Sequence, residues 1–238
     1  MKLAFGSLEP AIFIQRDNRF RAEIEIEGQR FKAHVANSGR MAELLVPQAQ
    51  AWVLKSDKPE RKTPYDLVLI EHAGEKICLN AHLANDILAF WLKERILPEF
   101  AQLTAFRREK VWGDSRFDFE LQFGEERCLL EVKSVNLVVD GQARFPDAPT
   151  TRGTRHVQEL TRHQQSGGHS AVVFIIMRQD AYCFAPNEAT DPDFARALRE
   201  AAAAGVWIKV YRCHLDEEGV EFAGRIEEVQ LAPEVKER

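Results

Sequence analysis

The sequence predicts a two-part chain, a small barrel of short strands followed by a larger domain of the α/β or α+β kind. Three observations carry that expectation. Between Phe20 and Leu79, five short strand-like segments are separated by turn residues. A helix-like segment stopped by Pro98 comes next. Strands and helices then alternate for the rest of the chain. With 238 residues the chain can bury one large core or two smaller ones, and the change of pattern divides it into domains 1–84 and 85–238.

The barrel strands are predicted at 20–27, 29–35, 51–55, 67–72 and 76–79, and the charged stretch 55–62 between two of them is too polar for a core, so it should form an exposed basic loop. Asn85-Asp86 is the expected cap of a helix over 85–97, with Ile87, Phe90, Trp91 and Glu94 at helical spacing. Further strands are predicted near 106–111, 116–123, 128–132, 171–177 and 206–211, and helices near 151–165 and 192–204. The charged end, 221–238, is expected to fray at its tip.

Composition narrows the functional classes. Hydrophobic residues make up 45% and charged residues 29%, ordinary for a soluble domain. No apolar run reaches the roughly 18 residues that a membrane span needs. Glu9 and Asp17 arrive before any signal-peptide core develops, so the expected location is cytoplasmic, with no membrane partner. Cys78, Cys128, Cys183 and Cys213 form no CxxC pair and read as reduced core residues. The net charge of -5 offers phosphate no overall attraction, so nucleic-acid contact would require a local basic patch.

The chemistry concentrates in a predicted hairpin whose arms, 116–121 and 128–133, turn at Gly124-Glu125. In that register Phe117 faces Val132, Phe119 faces Leu130 and Leu121 faces Cys128 on one side, while Asp118 lies opposite Glu131 and Arg116 opposite Lys133 on the other. Adjacent carboxylates repel and persist where positive charge neutralises them. On one reading that charge is Mg²⁺ or Mn²⁺, held by Asp118, Glu131 and the Val132 carbonyl, with Lys133 orienting or deprotonating a water for phosphodiester hydrolysis. On the other, Arg116 and Lys133 form a cross-strand salt network with the two acids. Glu109 is either a further metal ligand or one exposed charge among several.

A second constellation follows Phe145-Pro146-Asp147-Ala148-Pro149. Thr150 or Thr151 caps a helix on which Arg152, Arg155, His156, Glu159, Arg162 and His163 share one polar stripe, opposite Val157 and Leu160. Near a helix N-terminus such a stripe either grips backbone phosphates or forms a solvated face.

Several separated blocks resemble the sugar fermentation stimulation protein A family. They are Ala33-His34-Val35-Ala36-Asn37-Ser38-Gly39-Arg40-Met41, Ser115-Arg116-Phe117-Asp118-Phe119, Leu130-Glu131-Val132-Lys133-Ser134-Val135, and the stretch from Phe145 through Thr151-Arg152-Gly153-Thr154-Arg155-His156. The resemblance covers nearly the whole chain. It implies an amino-terminal five-stranded OB-fold barrel joined to a PD-(D/E)xK nuclease-like α/β domain, in a family associated with DNA binding and with regulation of sugar (maltose) metabolism. It also implies that Asp118, Glu131 and Lys133 occupy the nuclease-like motif, with Glu109 where related sites carry an additional acid.

An OB barrel binds oligonucleotides with basic loops and stacked aromatics. The candidates here are Arg40, Lys55, Lys58, Arg61 and Lys62 for phosphates, joined by Arg116, Arg152, Arg155 and His156 from the second domain, and Phe20, Phe31 or Trp52 for bases if exposed. DNA is the expected partner, with RNA as the alternative, and no residue set reads as a carbohydrate pocket. Three functions stay open at this point: a DNA-binding protein, a Mg²⁺- or Mn²⁺-dependent nuclease, and a non-catalytic interaction module.

Overall fold

The structure, a computed structural model, describes residues 1–58 and 60–232. The expectation of a frayed tip falls in part on 233–238, outside the described residues.

Strand β1 (Lys2–Ala4) precedes the barrel, which is built from β2 (Leu8–Asn18), β3 (Arg21–Ile26), β4 (Gln29–His34), β5 (Gln50–Lys55) and β6 (Tyr65–His72). The long strand β2 pairs antiparallel with β5 through residues 8–12 and with β3 through residues 12–18. Two register shifts in its second half bend it around the barrel, as bulges do. Parallel pairing of β4 with β6, Ala33 with Tyr65 and His34 with Asp66, closes the circuit. Phe13, Ile24, Val53 and Leu67 fill the interior. The expected five-strand barrel is therefore present with one substitution of parts. Strand β7 (Glu75–Cys78) is a sixth strand attached to β6, and β2 takes the place it had been given. The 8–18 segment escapes a periodicity search because Pro10, the unbroken apolar run from Ala11 to Ile14 and the bulges all hide its alternation.

Helix α1 (Leu83–Lys93) leads out of the barrel, with His82 rather than Asn85 at its N-cap. Asn85 is used elsewhere, as shown below. The second domain has a seven-stranded mixed sheet in the order β1-β16-β15-β13-β10-β9-β8. Its members are β8 (Ala105–Trp112), β9 (Ser115–Phe123), β10 (Glu126–Val135), β13 (His169–Ile176), β15 (Trp207–Leu215) and β16 (Gly219–Arg225), with β10, β13 and β15 parallel. Helix α1 covers one face through Ile87, Leu88 and Trp91. Helices α2 (Thr151–Gln165) and α3 (Pro192–Ala203) cover the other through Val157, Leu160, Phe194 and Leu198. A small second sheet of β11 (Val138–Val139), β12 (Gln142–Phe145), β14 (Cys183–Pro186) and β17 (Glu228–Val229) carries the chain into α2.

Two features cross the boundary expected at residue 84. That residue lies within α1, and β1 pairs with β16, so the first residues belong to the second domain's sheet. All four cysteines are free and buried. Among the described residues no helix is long and apolar enough to cross a membrane.

Candidate metal and nucleic-acid site

The predicted hairpin register holds from Glu126 opposite Phe123 to Leu130 opposite Phe119, and there the ladder stops. Beyond it Asp118 uses its side chain in place of backbone pairing. Its Oδ2 accepts the Val132 N–H at 2.8 Å and its Oδ1 accepts Asn85 Nδ2 at 2.8 Å. On the other flank, Glu109 at φ 60° interrupts the β8–β9 pairing opposite Asp118. This irregularity corrects the expected face. Phe119 and Leu121 pack beneath α1, but Phe117 joins the core on the α2 side, against the His156 ring.

Glu131 is 5% exposed. Its Oε1 receives Lys133 Nζ and His156 Nδ1, each at 2.6 Å, while the buried Oε2 has no partner. His156 Nε2 in turn accepts Arg152 Nε at 3.4 Å, which assigns the hydrogen on Nδ1 to the Glu131 bond. The two carboxyls diverge electrostatically. Burial, reinforced by the negative charge of Glu131, raises the pKa of Asp118 above the usual aspartate range. Burial also opposes ionisation of Glu131, but Lys133 and His156 outweigh it and hold that group below its usual range.

Both acids lie in a cleft of about 410 Å³ between the barrel and the second domain, lined also by Arg19, Lys133, Arg144 and Arg152. The barrel contributes the turn at 37–41, whose shape is set from behind by Arg16. That guanidinium donates to the carbonyls of Asn18, Arg19, Asn37, Gly39 and Arg40. The turn is also bonded across the domain junction, Asn37 Nδ2 to Asn136 Oδ1 at 3.0 Å and the Met41 N–H to Asp147 Oδ2 at 2.7 Å. A Cβ on Gly39 would stand 3.0 Å from Asp147 Oδ2 and 3.1 Å from Asn37 Oδ1, a close approach that suits glycine. Opposite the turn, Thr150 caps α2 by accepting the Gly153 N–H, as expected.

Two family models match this arrangement. Residues 14–79 match the SfsA N-terminal OB domain and residues 82–219 match the sugar fermentation stimulation protein RE domain. The chain belongs to the sugar fermentation stimulation protein family. A homolog from Caldanaerobacter subterraneus is 40% identical over 91% of this chain and 95% of its own length. One from Moorella thermoacetica is 45% identical over 89% and 92%. The solved structure of Pyrococcus furiosus SfsA, described as a complex with Ca²⁺, superposes with a TM-score of 0.90 at 29% identity and covers 97% of this chain and 99% of that one.

In this member of the sugar fermentation stimulation family, the structure brings together only part of the residue set that the sequence suggests. Asp118, Glu131, Lys133 and Arg152 line the cleft. His156 stands behind Glu131, 2% exposed, so it is a buried partner of the acid and not part of a solvated stripe. Glu159 of the same stripe is also buried. Arg155 is exposed and does not line the cleft. Glu109 and Arg116 are exposed on β8 and β9, 3.7 Å from each other and outside the lining, so Arg116 does not pair with the central acids.

Arg40 is exposed in the 37–41 turn, but it is the carbonyl of this residue that the structure uses. Lys55 at the end of β5 and Lys58 and Lys62 on the β5–β6 loop are exposed, and Arg61 is bound to Asp66 at 2.7 Å, all away from the cleft lining. Sequence reasoning missed Asn85, Asn136 and Arg19, and gave Arg16 and Asp147 no role. Asn85 carried a misleading signal, since an Asn-Asp pair before an apolar run resembles a helix cap.

Among the described residues no three His, Cys, Asp or Glu side chains form a metal-holding group. A cation here would rest on two carboxylates and backbone or solvent oxygen, and the unpartnered Oε2 of Glu131 fits that donor set.

Proposed function

We propose that this chain binds DNA in the interdomain cleft, mainly through phosphate, and that Asp118 and Glu131 hold a divalent metal ion there. The observation that carries the reading is Glu131 Oε2, a buried carboxylate oxygen without a partner beside the half-buried carboxyl of Asp118. An oxygen in that state costs free energy unless something positive meets it. The description of the Pyrococcus furiosus relative as a Ca²⁺ complex supports a divalent ion, and an all-oxygen donor set of Asp118, Glu131 and the Val132 carbonyl suits Mg²⁺ or Mn²⁺. Arg19, Lys133 and Arg152, with the N-terminus of α2, supply a local cationic lining that a net charge of -5 does not. The relatives' name associates them with sugar fermentation, and by that association the DNA bound would include genes for sugar (maltose) use, in the cytoplasm.

A second reading, a Mg²⁺- or Mn²⁺-dependent nuclease, is favoured by Lys133. A bound ion would supply Lewis-acid activation of a phosphodiester and its attacking water. Asp118 and Glu131 would hold it, Asn85 and His156 fix the orientation of those acids, and Lys133 is placed to stabilise or accept charge at the cleft floor. The deciding assay compares wild type with Asp118→Asn on labelled single- and double-stranded DNA in EDTA, Mg²⁺ or Mn²⁺. Retardation without fragments is the outcome for a binding protein. Metal-dependent fragments that vanish in the variant would make it a nuclease. No retardation and no fragments under any condition would defeat both readings.

A further inference from the structure

We propose that nucleic acid held in the cleft continues along the outer face of α2, its backbone phosphates carried by Arg155 and Arg162; this rests on the nucleic-acid reading above and names a second contact surface for the same ligand. Helix α2 starts in the cleft, where Thr150, Arg152 and Gly153 belong to the lining, and runs out of it for 15 residues. The stripe it exposes is not the one that the spacing of its charged residues suggests. Beside Arg152, the residues open to solvent are Thr151, Arg155, Gln158, Arg162 and Gln165, at alternating intervals of four and three, which places them on one line along the helix.

That stripe holds two arginines and no acid. The one carboxylate of the helix, Glu159, is turned inward, 1% exposed, toward the turn between β8 and β9, where a Cβ on Gly113 would stand 3.6 Å from its Oε2. Arg155 has no side-chain partner among the described residues, and the side chain of Arg162 is 65% exposed, with Glu159 Oε1 at 3.4 Å. The next helix is the contrast. Helix α3 exposes Asp193, Arg196 and Glu200, and Arg196 is tied to Asp193 at 2.6 Å. Mixed signs of that kind belong to a solvated face. A single sign, on a chain whose net charge is -5, marks a surface for a polyanion.

The dimensions suit a strand that leaves the cleft. From Thr151 to Gln165 the stripe runs about 21 Å, the rise of about six nucleotides along one strand of DNA. Guanidinium forks and the side-chain amides of glutamine donate to phosphate oxygens whatever the base sequence. Arg152 and Arg155 are neighbours on the helix and Arg162 stands two turns beyond, so positive charge continues out of the cleft with no exposed acid on α2 to interrupt it. The support is fixed at both ends and along its inner side: Thr150 caps the helix in the cleft, Val157 and Leu160 sit in the core, and Gln164 Oε1 accepts the Ser170 N–H at 2.8 Å.

The test measures how the affinity of the full chain depends on salt, in Ca²⁺, for a fluorescein-labelled blunt DNA duplex long enough to span the cleft and the helix, and for one of its strands alone. The proteins compared are wild type, the double variant Arg155→Ala with Arg162→Ala, Gln158→Glu and, on the other helix, Arg196→Ala. Thermal midpoints check that each variant is folded. The double variant is expected to lose about 1.8 from the slope of log affinity against log salt on duplex, or about 1.4 on a single strand, the share of two phosphate contacts. Gln158→Glu, which sets an acid in the middle of the stripe, should weaken binding at low salt, and Arg196→Ala should leave both slope and affinity as in wild type. An unchanged slope in the double variant, an equal fall in Arg196→Ala, or wild-type affinity in Gln158→Glu would overturn the proposal. If wild type bound neither form of DNA, the nucleic-acid reading itself would fall, an outcome distinct from loss of the α2 effect alone.

Discussion

The barrel has two loops that look alike in sequence, the turn at 37–41 and the loop at 55–62, both short, polar and basic. The structure treats them differently. The first is bonded at its carbonyls by Arg16 and tied to Asn136 and Asp147 of the second domain. The second is richer in charge, but among its described residues the strong side-chain tie is Arg61 to Asp66, and Lys55, Lys58 and Lys62 are exposed outside the cleft lining. Charge density marks the loop that lies outside the cleft lining. The wiring of backbone carbonyls marks the loop that shapes a site.

Three measurements bear on this contrast. The largest effect is expected from Arg16→Ala, which leaves the carbonyls of Asn37, Gly39 and Arg40 without this donor and should lower stability on the order of 3 kcal/mol. Chemical denaturation checks it, and a loss no greater than for a surface lysine would erase the difference between the loops.

Next is metal linkage. In wild type, Mn²⁺ at about 100 times its Kd should add about 2.7 kcal/mol of stability, and Asp118→Asn or Glu131→Gln should abolish the shift in thermal midpoint. The pH dependence of the metal-free chain follows from the raised pKa of Asp118. Its folded state keeps the proton to higher pH than the unfolded chain does, so this contribution to stability falls as pH rises from the ordinary aspartate range through the raised folded value. Glu131, held low by Lys133 and His156, has the opposite sign and loses its contribution only as pH falls through its depressed value. The Mn²⁺ shift should therefore shrink on acidification as Asp118 takes up its proton first.

The smallest effect is expected from Lys58→Ala with Lys62→Ala, within about 0.5 kcal/mol of wild-type stability. A larger loss would mean that the exposed loop is as integral as the turn.

Much of this was legible in sequence, and the failures have physical causes. The hairpin register could be read because alternation holds wherever the ladder is regular, from Phe123 back to Phe119. It failed at Phe117, where Asp118 exchanges backbone pairing for a side-chain bond, a choice no local pattern records. Helix α2 was legible to the residue, since Thr150 caps it and Gln165 ends its periodic run. The fates of His156 and Glu159 were not, because polar spacing on a helix does not reveal that a sheet lies beneath that face. Asn136 and Asp147 lie far along the chain from the turn they hold, beyond the reach of any short window.

The pairing of β1 with β16 sets the order in which this molecule can be completed. Lys2, Leu3 and Ala4 lie beside Glu221, Val220 and Gly219, and Gly219 leaves room for the Leu3 carbonyl, which a Cβ there would meet at 2.2 Å. The barrel is thus an excursion within the second domain's sheet, anchored at both of its ends. During synthesis Lys2, Leu3 and Ala4 must wait, unpaired, for a strand made more than two hundred residues later. The barrel can close on the ribosome, but this edge of the main sheet is sealed only once β16 has been made.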